Sequence, residues 1–177
     1  MAGVLSTLRS FSTGFFMSLP VLVAVSDTVV GISRVQGDSM LPSLHDGDII
    51  LVAKYPVVVQ HKFEAGSVYV LKSPGDPDKL LVKRLLALSG ASFRVHIPSG
   101  HAWIRGDNRI ASQDSQTQWG AVPLGLFKVG AARRVVDDIL WCRLTPVQGK
   151  VVCVVWPPHR AQTVQRQTVA ALWEFAD

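Results

Sequence analysis

Two side chains in this sequence, Ser39 and Lys83, are of types that together can perform acyl transfer. A serine hydroxyl is a weak nucleophile until a neighbour takes its proton. A lysine accepts a proton near neutral pH only when burial destabilises its ammonium form. Ser39 stands in Val35-Gln36-Gly37-Asp38-Ser39-Met40-Leu41-Pro42-Ser43-Leu44, between a glycine-bearing turn and a Met-Leu-Pro hinge. Gly37 allows close backbone approach, and the Ser39 amide is placed to donate into an oxyanion hole. Met40, Leu41 and Pro42 offer an apolar wall or lip beside it. A third stretch runs from Gly106-Asp107-Asn108 to Ser112, Asp114 and Ser115. Short polar residues at this density fix a tight loop, which can orient a lysine through the Ser112 hydroxyl.

Each of these has an ordinary reading as well. Most serines are solvated loop residues, and Gly106-Asp107-Asn108 is also a common turn composition. A strand over Leu81–Leu88 puts Leu81, Lys83, Leu85 and Ala87 on one face and Val82, Arg84, Leu86 and Leu88 on the other. Both faces are apolar, so periodicity does not choose between Lys83 and Arg84. Acid–base chemistry does, because a guanidinium does not deprotonate in proteins. The ordinary role of such a lysine is to cover apolar surface with its stem. Lys62, Lys72 and Lys79 lie in or beside polar turns. A histidine base is the competing arrangement, yet no GxSxG elbow surrounds any serine, and His101 reads as a strand-end residue.

These residues need a scaffold. From Arg34 onward short β-like runs alternate with turns: Asp48–Val52 after His45-Asp46-Gly47, Ser67–Leu71 after Ala65-Gly66, Leu80–Leu86 after a Ser-Pro-Gly-Asp-Pro turn, and Ala102–Ile104 after Pro98-Ser99-Gly100. Such β-branched runs predict an antiparallel β fold. Ala131–Leu140 is ambiguous between strand and short helix, and Lys150–Trp156 reads as a strand ended by Pro157-Pro158. Val164, Val169, Leu172 and Trp173 recur at helical spacing, which predicts a short C-terminal helix.

Upstream, between Arg9 and Arg34 the single ionisable side chain is Asp27. About twenty apolar residues rising 1.5 Å each cross a hydrocarbon core of roughly 30 Å, so Phe11–Ser33 is expected to be a membrane helix. Pro20 is tolerable there. A cleavable secretory signal and a mitochondrial presequence are the competing readings; the first has a shorter apolar core and the second more arginine. The expected layout is an anchor over 1–33, a catalytic β domain over 34–160, and a C-terminal helix or tail over 161–177.

The 177 residues suit one domain plus one extra segment. With 48% hydrophobic residues, 18% charged and a mean hydropathy of +0.27, the chain is neither a multi-span transporter nor a charged disordered tail. The net charge of +5 comes from scattered residues, with no dense Lys/Arg run, so nucleic acid is not an expected partner. Weak attraction to anionic lipid is the more natural use. Cys142 and Cys153 form no CxxC and read as two buried free thiols, with a bridge between them as the alternative, and no HExxH or His/Cys cluster suggests a metal or other cofactor.

In this order the stretches resemble the type I signal peptidase family, in its mitochondrial inner membrane protease branch, of the subunit 2 type. The family pattern is an anchor, then S-M-x-P-[ST]-L, then K-R, then G-D-N-x-x-x-S-x-D-S. Ser39-Met40-Leu41-Pro42-Ser43-Leu44, Lys83-Arg84 and Gly106-Asp107-Asn108 through Asp114-Ser115 match it. Each box is modest alone, and the ordered set is specific. The resemblance implies that Ser39 is the nucleophile and Lys83 the general base, that Ser112 orients the lysine, and that Asp107, Asn108 and Asp114 brace the loop. It also implies a membrane-anchored serine endopeptidase that cleaves targeting segments after small residues and needs no cofactor. Its partners would be precursor proteins, membrane lipid and a related protease subunit in a hetero-oligomer. Its expected location is the mitochondrial inner membrane, single-pass, with the catalytic domain facing the intermembrane space.

Three departures from the pattern stand out, one of them the region from about Arg133 to Val154, which is longer than in mitochondrial relatives and reads as a possible insertion carrying both cysteines. Gly37 occupies the position where many bacterial relatives carry serine, as in the mitochondrial branch. Gln116 stands where family members often place an arginine against the aspartate, so Asp114 needs another donor. The competing functions are a bacterial-type signal peptidase, a catalytically inactive structural subunit, and a self-cleaving repressor, which would require a helix-turn-helix upstream.

Overall fold

The computed structural model describes residues 29–58, 60–76, 78–91, 95–127 and 148–168. Its strands are β1 (Val30–Arg34), β2 (Ile49–Ala53), β3 (Val68–Lys72), β4 (Leu80–Leu88), β5 (His101–Arg105), β6 (Val122–Pro123), β7 (Gly149–Trp156) and β8 (Gln162–Thr163). They form one antiparallel sheet in the order β1-β2-β7-β3-β4-β5-β6, with β8 added to β7. One helical turn, α1 (Tyr55–Val58), follows β2. A π-helical turn at Ser115–Trp119 and 3-10 turns at Leu124–Phe127 and Pro158–Arg160 complete the set.

Alternation along β3 shows where the core lies. Val68 and Val70 pack with Val35, Met40, Leu44, Ile50, Val52, Val151 and Val154 on one side of the sheet. Tyr69 and Leu71 pack with Val57, Leu85, Ala102, Ile104, Val122 and Phe127 on the other. A strand buried on both faces reads as a continuous apolar run, as Val68-Tyr69-Val70-Leu71 does. The rings of Phe63, Tyr69 and Phe127 meet at centroid distances of 5.6–6.0 Å, two of the three pairs edge-on. Edge-on contact suits the aromatic quadrupole.

Two expected helices are corrected. Among the described residues no helix is long and apolar enough to cross a membrane. The span expected over Phe11–Ser33 ends differently: Val30–Arg34 is strand β1, paired with β2 from Val30↔Ala53 to Arg34↔Ile49. The reason is local, since Val29, Val30 and Ile32 are β-formers that meet the β-branched and apolar edge of β2. The rest of that stretch, up to residue 28, lies outside the described residues.

The C-terminal helix does not begin where helical spacing placed it. Thr163 pairs with Cys153 in the β7–β8 ladder, and Val164 N–H donates to Val152 O at 2.9 Å. Gln167 N–H then donates to Gly66 O at 3.2 Å. As far as Gln167 the tail's backbone pairs with the sheet and its turns, which overrides the periodicity. Residues 169–177 lie outside the described set.

Residues 149–154, read as part of a possible insertion, belong to β7 between β2 and β3. Cys153 is a free thiol. Cys142 and Ala131–Leu140 lie outside the described residues.

Candidate active site

The Ser39 segment is held by its apolar neighbours. Leu41 N–H donates to Asp38 O at 3.3 Å, and Leu44 N–H donates to Met40 O at 2.9 Å. This single helical turn brings Met40 and Leu44, four residues apart, to one side, and both are buried in the core. Met40 is thus buried in the core, where it anchors the Ser39 turn. Pro42 is exposed, and the Leu41–Pro42 peptide is cis.

Gly37 adopts φ 84°, a left-handed conformation that a side chain would strain. Its N–H donates to Asp46 Oδ1 at 2.8 Å. Gly37 therefore shapes the turn, and its own amide is already used. Among the described residues neither the N–H nor the hydroxyl of Ser39 has a hydrogen-bond partner.

Lys83 lies on β4 opposite Tyr69 of β3, on the same face as Leu81 and Leu85. It is 3% exposed. Its Nζ donates to Ser112 Oγ at 2.8 Å. Burial lowers its pKa to about 8, against the opposing pull of Asp114 and then Asp107. Desolvation wins because removing water from an ammonium costs more than two carboxylates at this range return.

Arg84, one residue on, faces the opposite side and is 1% exposed. Its Nε donates to Asp107 Oδ1 at 2.8 Å and its Nη2 to Asp107 Oδ2 at 2.6 Å, a bidentate pair. It also donates to Gly66 O at 2.7 Å, Gln165 O at 3.3 Å and Ser43 Oγ at 3.3 Å. One guanidinium so joins the Asp107 loop, the Ser39 segment, the β3 entry turn and the C-terminal tail. Sequence reasoning considered Arg84 only as a base and rejected it. The buried face it shares with Val82 and Leu86 was the signal that it needed an internal anion.

Asn108 closes the site from the loop side. Its N–H donates to Ser39 O at 3.0 Å, its Nδ2 donates to Asp38 O at 3.1 Å, and its Oδ1 accepts from Ile110 N–H at 3.2 Å. It braces the loop and also clamps the peptide carbonyls on both sides of Ser39. Asp114 caps the turn that follows: its Oδ1 accepts from Gln116 N–H at 2.9 Å, Thr117 N–H at 3.2 Å and Thr117 Oγ1 at 3.3 Å. With Gln116 in place of arginine, backbone N–H groups serve as its direct donors. Ser115 and Thr117 were not singled out as positioning residues; Ser115 Oγ accepts from Ile104 N–H at 3.0 Å and ties the loop to β5.

Gly106 is the point where these parts converge. A Cβ on Gly106 would collide with Ser112 Oγ and lie 2.5 Å from Ser39 O. The loop therefore passes between the Ser39 segment and the lysine's partner with room for hydrogen alone. Among the described residues no group of His, Cys, Asp or Glu is placed to hold a metal ion.

Residues 8–96, which hold Ser39 and Lys83 and end before the Gly106–Ser115 loop, match the family model described as Signal peptidase, peptidase S26. The chain belongs to the signal peptidase family. The human mitochondrial inner membrane protease subunit 2 is 35% identical over 175 residues, covering 90% of this chain and 93% of that one. The mouse protein of the same description is 34% identical over 152 residues, covering 78% of this chain and 86% of that one. The mitochondrial ATP-independent inner membrane protease subunit 1a of Arabidopsis thaliana is 34% identical over 156 residues, with 78% of each chain covered. The likeness to the mitochondrial inner membrane proteases, subunit 2 above all, is thus established for this peptidase. The expected location is corrected on one point. The relatives' descriptions carry the organelle and the membrane, and no long apolar helix among the described residues supports a single-pass anchor.

Proposed function

We propose that the chain is a serine endopeptidase that removes N-terminal targeting segments from precursors bound for the mitochondrial intermembrane space, using Ser39 as nucleophile and Lys83 as general base. The observation that carries the reading is the buried Lys83 amine. It is kept titratable near pH 8 and aimed by Ser112, beside a loop whose Asn108 holds Ser39 O. An ordinary surface lysine has neither the burial nor the fixed partner.

In the neutral form Lys83 takes the Ser39 proton as Oγ attacks the scissile carbonyl. The Ser39 N–H receives the oxyanion. The Lys83 ammonium then returns its proton to the departing amine, and a water deprotonated by the same lysine releases the acyl group from Ser39. Ser112 keeps the amine directed, Asn108 holds the nucleophile's backbone, and the Asp107–Arg84 pair and Asp114 cap hold the loop. No step requires a metal or cofactor. Substrate would bind extended against a β edge. A related protease subunit is its proposed partner in a hetero-oligomer.

The test is Ser39→Ala in the full chain at unchanged abundance. Loss of precursor processing is expected. Processing that continued at the parent rate would reject Ser39 as nucleophile and favour a structural role for the chain.

A further inference from the structure

The 3-10 turn that follows β7 reaches back to the start of β2. Trp156, at the end of β7, pairs with Ile49, the first residue of β2. Pro157 and Pro158 then turn the chain, and Arg160 N–H closes the turn on Pro157 O at 2.9 Å. From there Arg160 Nη2 lies 2.7 Å from Asp48 Oδ1. Asp48 is 1% exposed, and this cation matches its buried charge. Its other oxygen, Oδ2, accepts from His45 N–H at 2.9 Å, and Asp48 N–H donates to His45 O at 3.2 Å. The carboxylate thus sits between Arg160 on one side and the 45–48 turn on the other. That turn grips the chain just ahead of Ser39. Gly47 N–H donates to Val35 O at 3.0 Å, Val35 N–H donates to Asp48 O at 2.8 Å, and Gly37 N–H donates to Asp46 Oδ1 at 2.8 Å. Gly37 stands two residues before Ser39.

We propose that Arg160 is a positioning residue for Ser39, acting through Asp48 and the 45–48 turn; this rests on the reading of Ser39 as the nucleophile. Asp48 Oδ1 and Arg160 Nε each lack an aligned hydrogen bond among the described residues. The Arg160–Asp48 contact therefore holds mainly by charge, unlike the bidentate Arg84–Asp107 pair. Without Arg160 the Asp48 carboxylate is buried and uncompensated, and its relief is to swing toward water. That movement withdraws Oδ2 from His45 N–H and loosens the turn that holds Gly37. The Ser39 N–H, which receives the oxyanion, then loses its fixed direction. The same tail continues to the other half of the site. Gln165 O accepts from Nη1 of Arg84, the neighbour of Lys83 on β4, at 3.3 Å, and Gln167 N–H donates to Gly66 O at 3.2 Å. Residues 157–167 so hold the Ser39 side through Arg160 and the Lys83 side through Gln165.

The experiment compares Arg160→Met, Arg160→Lys, Asp48→Asn and the Met/Asn double variant in the full chain. Two quantities are read: kcat and KM on a precursor peptide, and the Gly37 amide resonance by NMR, which reports its bond to Asp46. Arg160→Met is expected to lower kcat roughly tenfold with KM within about twofold, and to shift the Gly37 amide. Arg160→Lys restores most of both, since the contact uses charge and not a bidentate fork. Asp48→Asn lowers kcat similarly, because an amide has one acceptor oxygen and cannot serve His45 N–H and Arg160 together. The double variant falls no further than either single, because all three break one link. Parent kcat or an unmoved Gly37 amide in folded Arg160→Met overturns the proposal, as does a rise in KM with kcat held. A lysine variant as impaired as the methionine one overturns it too. If Arg160→Met does not fold, parent kcat and an unmoved Gly37 amide in Asp48→Asn overturn it instead. Failure of the Ser39 reading looks different: Ser39→Ala would keep the parent rate while Arg160→Met still moved the Gly37 amide.

Discussion

Lys83 Nζ donates to Ser112 Oγ at 2.8 Å, joining β4 to a loop that starts 23 residues further along, at Gly106. A lysine side chain has four rotatable carbons, and a fixed partner removes that freedom where the amine must meet one hydroxyl. Ser112→Ala is expected to lower kcat by roughly 10²-fold with little change in KM, because aim is lost and substrate contacts are not. Steady-state kinetics on a short precursor peptide checks this. An equal rise in KM with kcat unchanged would assign Ser112 to substrate binding.

Activity should rise with pH through about 8, where burial has set the Lys83 titration. The same shift has a stability consequence of definite sign. Between the folded value near 8 and the ordinary lysine value of 10.5, the unfolded chain binds more protons than the folded one. Stability therefore rises with pH across that window. Lys83→Met, which cannot be protonated, should be more stable than the parent at pH 7 by about 1–2 kcal/mol and inactive. Urea denaturation at pH 7 and pH 10 tests it: the gain should shrink at the higher pH.

Gly106→Ala places a methyl against Ser112 Oγ and Ser39 O. Overpacking of this kind costs about 1–3 kcal/mol. The larger effect should be on rate, since either collision moves a catalytic part. A variant with reduced melting temperature and activity down roughly 10²-fold is expected, because misplacement by about 1 Å can cost that much. Full activity in Gly106→Ala would mean that the loop has slack.

Asp107→Asn leaves Arg84 buried beside an uncharged amide. Removing one partner of a buried pair is expected to cost about 3–5 kcal/mol. Arg84→Lys should recover only part of the Arg84→Met loss, because an ammonium cannot serve Asp107, Gly66 O, Gln165 O and Ser43 together. Chemical denaturation of the three variants ranks them. A lysine variant as stable as the parent would reduce Arg84 to a point charge.

The strand runs were readable because turn residues fix their ends. Gly47 and Gly66 stand ahead of β2 and β3, Gly100 stands directly ahead of β5, and Ser89-Gly90 closes β4. Where backbone partners came from far away, the sequence misled. Val30–Arg34 looked like the end of a membrane helix until β2 supplied its ladder, and the stretch after Thr163 looked helical until β7 and Gly66 took its backbone groups. Local pattern carries no information about a partner 20 or 100 residues away.

The sequence alone determined which groups can do the chemistry. Of Lys83 and Arg84 only the lysine can shed a proton, and the ordered Ser39, Lys83 and Gly106–Ser115 boxes carried the resemblance to the family. Tertiary structure alone decided the faces and the distances. It turned Lys83 inward to Ser112 and Arg84 to Asp107, and it gave Asp114 a backbone cap in place of an arginine following Ser115. The physical reason is that alternation sets two faces apart without naming them. Both faces are dry here, and what is brought against each, Ser112 to Lys83 and Asp107 to Arg84, depends on the tertiary fold.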